Sequence, residues 1–191
     1  MSFLETRYLY MAYGMNTNRR AMEARCPLAK PMGGFYLPNY RLVFRGVADI
    51  VPEDGGVVPV VLWSITGKCL QALDRLEGYP HLYTRRKINH GWLTYMMQSK
   101  SEIAKPNHNY YRMIEEGYKD FGLDDGALAQ ASDDAGGSYY RSRHFRDVRV
   151  DSRYGKPSKF KSDWIADAMQ SGKMNRAEAE DCWNQQEYRD S

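Results

Sequence analysis

Residues 57 to 65 read VVPVVLWSI, an apolar run with no charged side chain and no polar face. Such a run fits a strand buried on both sides better than a surface helix, and Pro59 is tolerated close to its start. A chain holding this strand must build a sheet around it. The flanking segments supply candidates: Tyr8 to Tyr13 reads as a strand, Tyr40 to Arg45 (YRLVFR) alternates like one, and Arg86 to Tyr95 reads as a strand pair turning at His90 and Gly91. PEDGG, residues 52 to 56, has the composition of a loop or hairpin connection.

Helical spacing appears between these strands. Arg19 to Arg25 is a short helix ended by Pro27, and Lys68 to Glu77 places Cys69, Leu70, Leu73 and Leu76 on one face with Gly78 at the stop. Tyr110 to Tyr118 and Gly126 to Ala131 are two further short helices. The order predicts an α+β domain over residues 1–131, built on a small curved or barrel-like mixed β-sheet flanked by short helices. Residues 132–191 read as a linker (SDDAGGS), a basic segment and a helical C-terminal extension. In that extension Trp164, Ile165, Ala168 and Met169 form a stripe, and Asn175 and Glu178 have capping-box spacing.

The net charge of +3 does not demand a polyanionic partner, and its distribution is more informative. Residues 141 to 161 carry eight Lys/Arg against two Asp, whereas 163 to 190 carry three basic against seven acidic side chains. Aromatic residues interleave with the basic block, which leaves nucleic acid open as a partner. The acidic segment that follows can neutralise the same block within one chain. Three widely spaced cysteines, Cys26, Cys69 and Cys182, form no disulfide framework and predict a reducing, cytoplasmic location. The residues predict no signal peptide and no membrane span. Fifteen tyrosines suit either half-buried sheet positions or the walls of a pocket.

Several chemistries lack their residues. The four histidines never fall at helical metal-ligand spacing and no cysteine pair shares a short loop, so no metal site is expected. Neither a nucleophile elbow nor a glycine-rich phosphate loop occurs, and no cofactor is expected. Two features remain. In AYGMN, a strand breaking at Gly14 can expose successive amides as an anion-binding nest, with Asn16 adding a side-chain donor and acceptor and Arg19 and Arg20 close by. In LDRLEGYPHLYTRR, Glu77 falls in the last turn of its helix, where the macrodipole disfavours negative charge and raises the carboxyl pKa. Asp74, three residues earlier, can orient Glu77 or Tyr83, or face water.

Taken together and in this order, the two segments resemble the γ-glutamylcyclotransferase-like family, which includes γ-glutamylcyclotransferases and γ-glutamylamine cyclotransferases. Tyr13-Gly14-Met15-Asn16 is similar to the family's opening Tyr-Gly loop, Leu73 to Gly78 to its Leu-Asp-x-x-Glu-Gly, and YRLVFRG and YYRMIEEGYKDFGL to later segments. The resemblance spans roughly residues 8 to 128. Met15 departs from it, standing where the family has Ser or Thr. The resemblance implies release of 5-oxoproline and an amine or amino acid from a γ-glutamyl amide, with no cofactor. It implies Glu77 as general acid and base, the amides of Gly14, Met15 and Asn16 as substrate binders, and Tyr13 and Tyr83 as pocket walls, Tyr83 hydrogen-bonded to Glu77. The competing reading is a catalytically inactive module on the same fold that binds a small molecule or a protein.

Overall fold

The computed structural model describes residues 6–88, 91–98 and 101–136. Five strands form one mixed sheet: β1 (Arg7–Ala12), β2 (Lys30–Phe44), β3 (Ala48–Thr66), β4 (Tyr83–Ile88) and β5 (Trp92–Met97). Their spatial order is β2-β3-β1-β5-β4, with β1 and β5 parallel and every other neighbouring pair antiparallel. Four helices accompany them: α1 (Arg19–Arg25), α2 (Gly67–Leu76), α3 (His108–Asp120) and α4 (Gly126–Asp134).

The apolar run at 57 to 65 is the inner half of β3, and from Val58 to Ile65 every described side chain except Pro59 and Ser64 belongs to the buried apolar set. Register explains how both faces are filled. Tyr10 opposes Trp63 and Ala12 opposes Val61 on one face, and Met11 opposes Leu62 on the other. The first face carries the cluster that includes Met22 of α1 and Cys69, Leu70 and Leu73 of α2. Across the second face Phe35 of β2 and Trp92 of β5 approach to 5.8 Å between ring centroids, although β3 and β1 lie between their strands. The sheet is therefore strongly curled. It stays an open sheet with edges at β2 and β4, and side-chain hydrogen bonds rather than a ladder tie β4 and β5 to the start of β3. The Tyr83 hydroxyl donates to Ala48 O at 2.8 Å and the Met97 amide donates to Asp49 Oδ1 at 3.1 Å.

One sequence expectation is corrected here, and one strand that the sequence reading did not identify is added. PEDGG is no hairpin connection: β2 pairs along β3 on both sides of it, Tyr40 with Pro52 and Pro38 with Val57, so residues 53 to 56 bulge opposite the single residue Asn39. The β2–β3 turn lies instead at Arg45 to Val47. Lys30 to Asn39, rich in Pro and Gly, is strand as well. Its turn-forming residues sit at two irregularities of the ladder, between Pro31 and Gly33 and between Pro38 and Tyr40, and the edge position of β2 tolerates proline.

Helix ends follow local chemistry. The Asn18, Thr66 and Asn107 side chains accept from the backbone of Ala21, Cys69 and Tyr110 and so cap α1, α2 and α3. Gly78, at φ 61°, stops α2, with the Tyr79 amide reaching back to Asp74 O at 2.9 Å. This makes Glu77 the C-cap residue. Helix α4 continues through Asp134 with Ser132 buried, three residues into the segment read as linker. The basic segment and the helical extension fall outside the described residues, as does Cys182. Cys26 and Cys69 are buried free thiols, Cys26 pushed up to about 12 by burial.

Candidate active site

The β1 strand ends where the backbone tightens into a 3-10 turn, Met15–Thr17, which leads directly into α1. The Thr17 amide donates to Gly14 O and the Asn18 amide to Met15 O. In such a turn the first amides have no acceptor within the turn itself, and the Met15 amide donates to the Tyr110 hydroxyl. Gly14 sits at φ −103°, not in the left-handed region expected for a glycine nest. Space is what asks for glycine: a Cβ there would come within 3.1 Å of the Tyr110 hydroxyl and 3.2 Å of Ala48 Cβ.

Neighbouring elements hold this turn from behind. The Trp63 indole donates to Asn16 O at 3.0 Å, and the Asn18 side chain donates to Met113 O of α3 at 3.1 Å. Helix α3 comes so close that a Cβ on Gly117 would lie 2.5 Å from both Asn18 N and Thr17 Oγ1. The loop backbone is thus fixed by packing before any ligand arrives.

In front of the turn lies a cavity of about 200 Å³, and Tyr13, Gly14, Met15, Asn16, Glu77 and Tyr83 all line it. The six residues singled out in the sequence converge on one hollow. Glu77 is half-buried, and removal from water pushes its carboxyl up, opposed by the Asn16 hydrogen bond and by the Arg25 charge. Its partner is not Tyr83, whose hydroxyl is taken by Ala48 O. Instead Asn16 Nδ2 donates to Glu77 Oε1 at 2.9 Å and to the Tyr10 hydroxyl at 2.8 Å. Asn16 Oδ1 in turn accepts from the Arg25 guanidinium. Asn16 is itself buried, so its side chain acts as a bracket for Glu77. Asp74 does not orient Glu77 either. It accepts from Arg85 Nε at 2.8 Å and from the Tyr95 hydroxyl at 2.7 Å, fastening α2 to β4 and β5.

Sequence reasoning missed four polar lining residues, Tyr10, Arg25, Tyr95 and Tyr110, and the apolar Val47, Ala48, Leu76 and Leu82. The basic residue that reaches the loop is Arg25, at the far end of α1, whereas Arg19 packs over the Phe121 ring, 4.8 Å from its centroid. One signal was available, since Arg25 closes the last turn of a seven-residue helix that begins three residues after Asn16. Tyr110 had none, because nothing local says that α3 packs over the loop. Its hydroxyl accepts from the Ala48 amide at 3.1 Å. Tyr13 donates to Tyr95 O at 2.6 Å, and burial raises the pKa of all five cavity tyrosines, which keeps them neutral donors and acceptors.

Among the described residues, no group of three or more His, Cys, Asp or Glu side chains is placed to hold a metal, and no helix is long and apolar enough to cross a membrane. The site therefore offers one carboxyl of raised pKa, turn amides and a ring of hydroxyls around a small hollow.

The family described as gamma-glutamyl cyclotransferase, AIG2-like, matches this chain over residues 10–118. The chain belongs to this family. The match takes in the whole Tyr13 to Asn16 turn, α2 with Glu77, and Tyr83, so the cavity lies within the matched residues. A solved gamma-glutamyl cyclotransferase is 23% identical, with a TM-score of 0.60 over 71% of this chain and 92% of that one. An uncharacterised human protein gives 24% identity and the same TM-score of 0.60, again over 71% of this chain and 92% of its own. YkqA from Bacillus subtilis, at 22% identity and a TM-score of 0.57, is covered over 55% of its length by 69% of this chain. These likenesses show that the gamma-glutamyl cyclotransferase fold is shared. A search of curated proteins gives no match.

Proposed function

We propose that the protein is a γ-glutamyl cyclotransferase that releases 5-oxoproline and a free amine or amino acid from a γ-glutamyl amide. The substrate α-amine attacks its own γ-carbonyl, so nucleophile and electrophile arrive tethered and the enzyme's first task is to hold the chain folded. Glu77 takes a proton from the α-ammonium, which frees the nitrogen lone pair. The new C–N bond closes the five-membered ring and the carbonyl oxygen gains negative charge. Protonated Glu77 then delivers its proton to the leaving nitrogen as the oxyanion re-forms the carbonyl and the scissile C–N bond breaks. The second proton of the ring nitrogen passes through the Glu77 carboxylate to the freed amine, which departs as an ammonium. No water enters the products, and no cofactor is required.

The observation that carries this reading is the Glu77 carboxyl, pushed up by burial and held at Oε1 by Asn16 beside the first amides of the Met15–Thr17 turn. A carboxyl with a raised pKa both accepts and returns a proton efficiently. The amides of Gly14, Met15 and Asn16 supply preorganised donors for the substrate carboxylate or the developing oxyanion. Tyr13 and Tyr83, each anchored through its hydroxyl to backbone, wall the hollow.

The test is 5-oxoproline release from γ-glutamyl amino acids, γ-glutamyl-lysine isopeptide and glutathione, comparing wild type with Glu77→Gln. Turnover that falls by about 10² to 10⁴ in the variant is the expected result. Equal turnover removes Glu77 from the chemistry. Tight binding of a γ-glutamyl amide without product from either protein favours the inactive binding module.

A further inference from the structure

A second buried carboxyl, that of Asp49, stands one residue from the cavity wall. We propose that Asp49 is a positioning residue of the cavity: by holding the Met97 amide and the Arg45 guanidinium it sets the place of the Ala48 backbone, which fixes the hydroxyls of Tyr83 and Tyr110. The consequence for turnover rests on the γ-glutamyl reading of the same hollow.

Ala48 lines the cavity and is the first residue of β3. Its carbonyl accepts from the Tyr83 hydroxyl at 2.8 Å, and its amide donates to the Tyr110 hydroxyl at 3.1 Å. One residue without a polar side chain thus fixes two hydroxyls, one from β4 and one from α3. The Tyr110 oxygen also accepts from the Met15 amide, so it joins Ala48 to the turn that binds substrate in the proposed reaction. With its oxygen accepting from two amides, the remaining capacity of this hydroxyl is to donate. A shift of Ala48 therefore moves the wall of the hollow and loosens the turn together.

The ladder holds Ala48 on one side. Its pairing with Phe44 is the rung next to the Arg45 to Val47 turn, whereas β1 pairs with residues 61 to 66, far along β3. Asp49 supplies the tie on the other side. Its Oδ1 accepts from the Met97 amide at 3.1 Å, its Oδ2 from Arg45 Nε at 3.4 Å, and the Ile50 amide also donates to the carboxylate. Met97 is the strand partner of Tyr83. Asp49 therefore grips β5 at the rung that carries Tyr83, while Ala48 grips the hydroxyl of the same tyrosine. Arg45 closes the turn from its other end, and its guanidinium also donates to Ser101 O. Burying a carboxylate is costly unless its oxygens are matched, and here both are spent on fixing the start of β3.

The experiment is a double-mutant cycle in kcat/KM for 5-oxoproline release from the γ-glutamyl amide that wild type turns over fastest. Asp49→Ala is expected to lower kcat/KM about tenfold or more in the wild-type background. In a Tyr83→Phe, Tyr110→Phe background, where the hydroxyls that Ala48 fixes are absent, the same change should cost about twofold or less. Equal losses in the two backgrounds, or no loss in the wild-type background, overturn the inference. Leu128→Ala, a truncation of a buried α4 residue outside the cavity lining, controls for lost stability alone and should leave kcat/KM near wild type. Where removal of the ion pair unfolds Asp49→Ala, the same cycle is run with Asp49→Asn, which keeps an acceptor for Met97 and loses the charge facing Arg45. Amide hydrogen exchange read by NMR needs no substrate. In the Asp49 variant the Ala48 and Met15 amides should exchange about tenfold faster or more, with Val60 and Leu62 in the middle of β3 changed far less. That selective loss supports the inference even if wild type forms no 5-oxoproline, in which case the proposed reaction alone fails. Exchange that is unchanged, or that rises equally at all four amides, overturns it.

Discussion

Asn16 and Glu77 are 61 positions apart in the chain, and the Asn16 side-chain amide donates to the Glu77 carboxylate at 2.9 Å. This hydrogen bond ties the turn after β1 to the end of α2. The two features that stand out in the sequence are thereby made into one site. Through it the position and the proton affinity of Glu77 depend on the side chains of Asn16 and Arg25, and four predictions follow the path outward from the carboxyl.

Asn16→Asp replaces the donor with a second carboxylate facing Glu77. Like charge at that distance disfavours ionisation of Glu77. The acidic limb of the pH profile of kcat/KM is expected to move to higher pH, and turnover near neutrality to fall about a hundredfold as the base is both protonated and misplaced. A pH series of 5-oxoproline release checks this. An unmoved limb would remove Asn16 from control of Glu77.

Arg25 sets which way the Asn16 amide faces. A guanidinium only donates, so it holds Asn16 Oδ1 toward itself and leaves Nδ2 for Tyr10 and Glu77. Its charge also holds the Glu77 carboxyl down. Arg25→Met is expected to shift the acidic limb upward and lower kcat. Arg25→Lys retains the charge, and the limb should stay near its wild-type position while kcat falls. Equal profiles for the two variants would show that charge plays no part.

Gly117 is where α3 meets the turn. A Cβ there would sit 2.5 Å from Asn18 N and Thr17 Oγ1, far inside contact distance, and the first of these is backbone that cannot swing aside. Gly117→Ala should therefore force α3 and the turn apart, destabilising the fold by about 1 to 3 kcal/mol, the range for overpacked sites. Denaturant midpoints measure the loss. Turnover should drop in the fraction that stays folded, because the turn amides are no longer held. A variant with wild-type stability would mean that the turn yields freely.

Stability should depend on pH through Glu77 in a definite sense. Burial raises its folded pKa above the ordinary 4.5, so the folded state holds this proton more tightly than the unfolded chain does. The contribution is complete below that value and is lost as pH rises through the folded pKa. Glu77→Gln removes the titration. Near neutral pH the variant is expected to be more stable than wild type by about 1 kcal/mol, a common gain when a strained functional group is replaced. Below the ordinary carboxylate range the two midpoints should converge. Thermal melts across this range decide it, and a constant difference would contradict the raised pKa. Asp49, whose carboxyl burial also pushes up, is present in both proteins and cancels from the comparison.

The sequence by itself determined what is local. Apolar residues on both faces of 57 to 65 require a buried strand, and Asn18, Thr66, Asn107 and Gly78 mark helix ends through hydrogen bonds that span only a few residues. The turn at Gly14 and the carboxyl at Glu77 were legible for the same reason, each being a strand end or a helix end with its own chemistry. Tertiary structure decided everything that joins them. Strand order brings Tyr83 and Tyr95 beside the turn, the curl of the sheet directs the Tyr83 hydroxyl to Ala48 rather than to Glu77, and α3 delivers Tyr110. It also decided why Gly14 is glycine, through crowding by Tyr110 and Ala48 and not through backbone dihedral angle. The physical reason is common to all of these. A hydrogen bond within a turn is specified by neighbours in sequence, whereas one such as Asn16 to Glu77 exists only after a core has formed and brought two side chains from distant parts of the chain within 3 Å of each other.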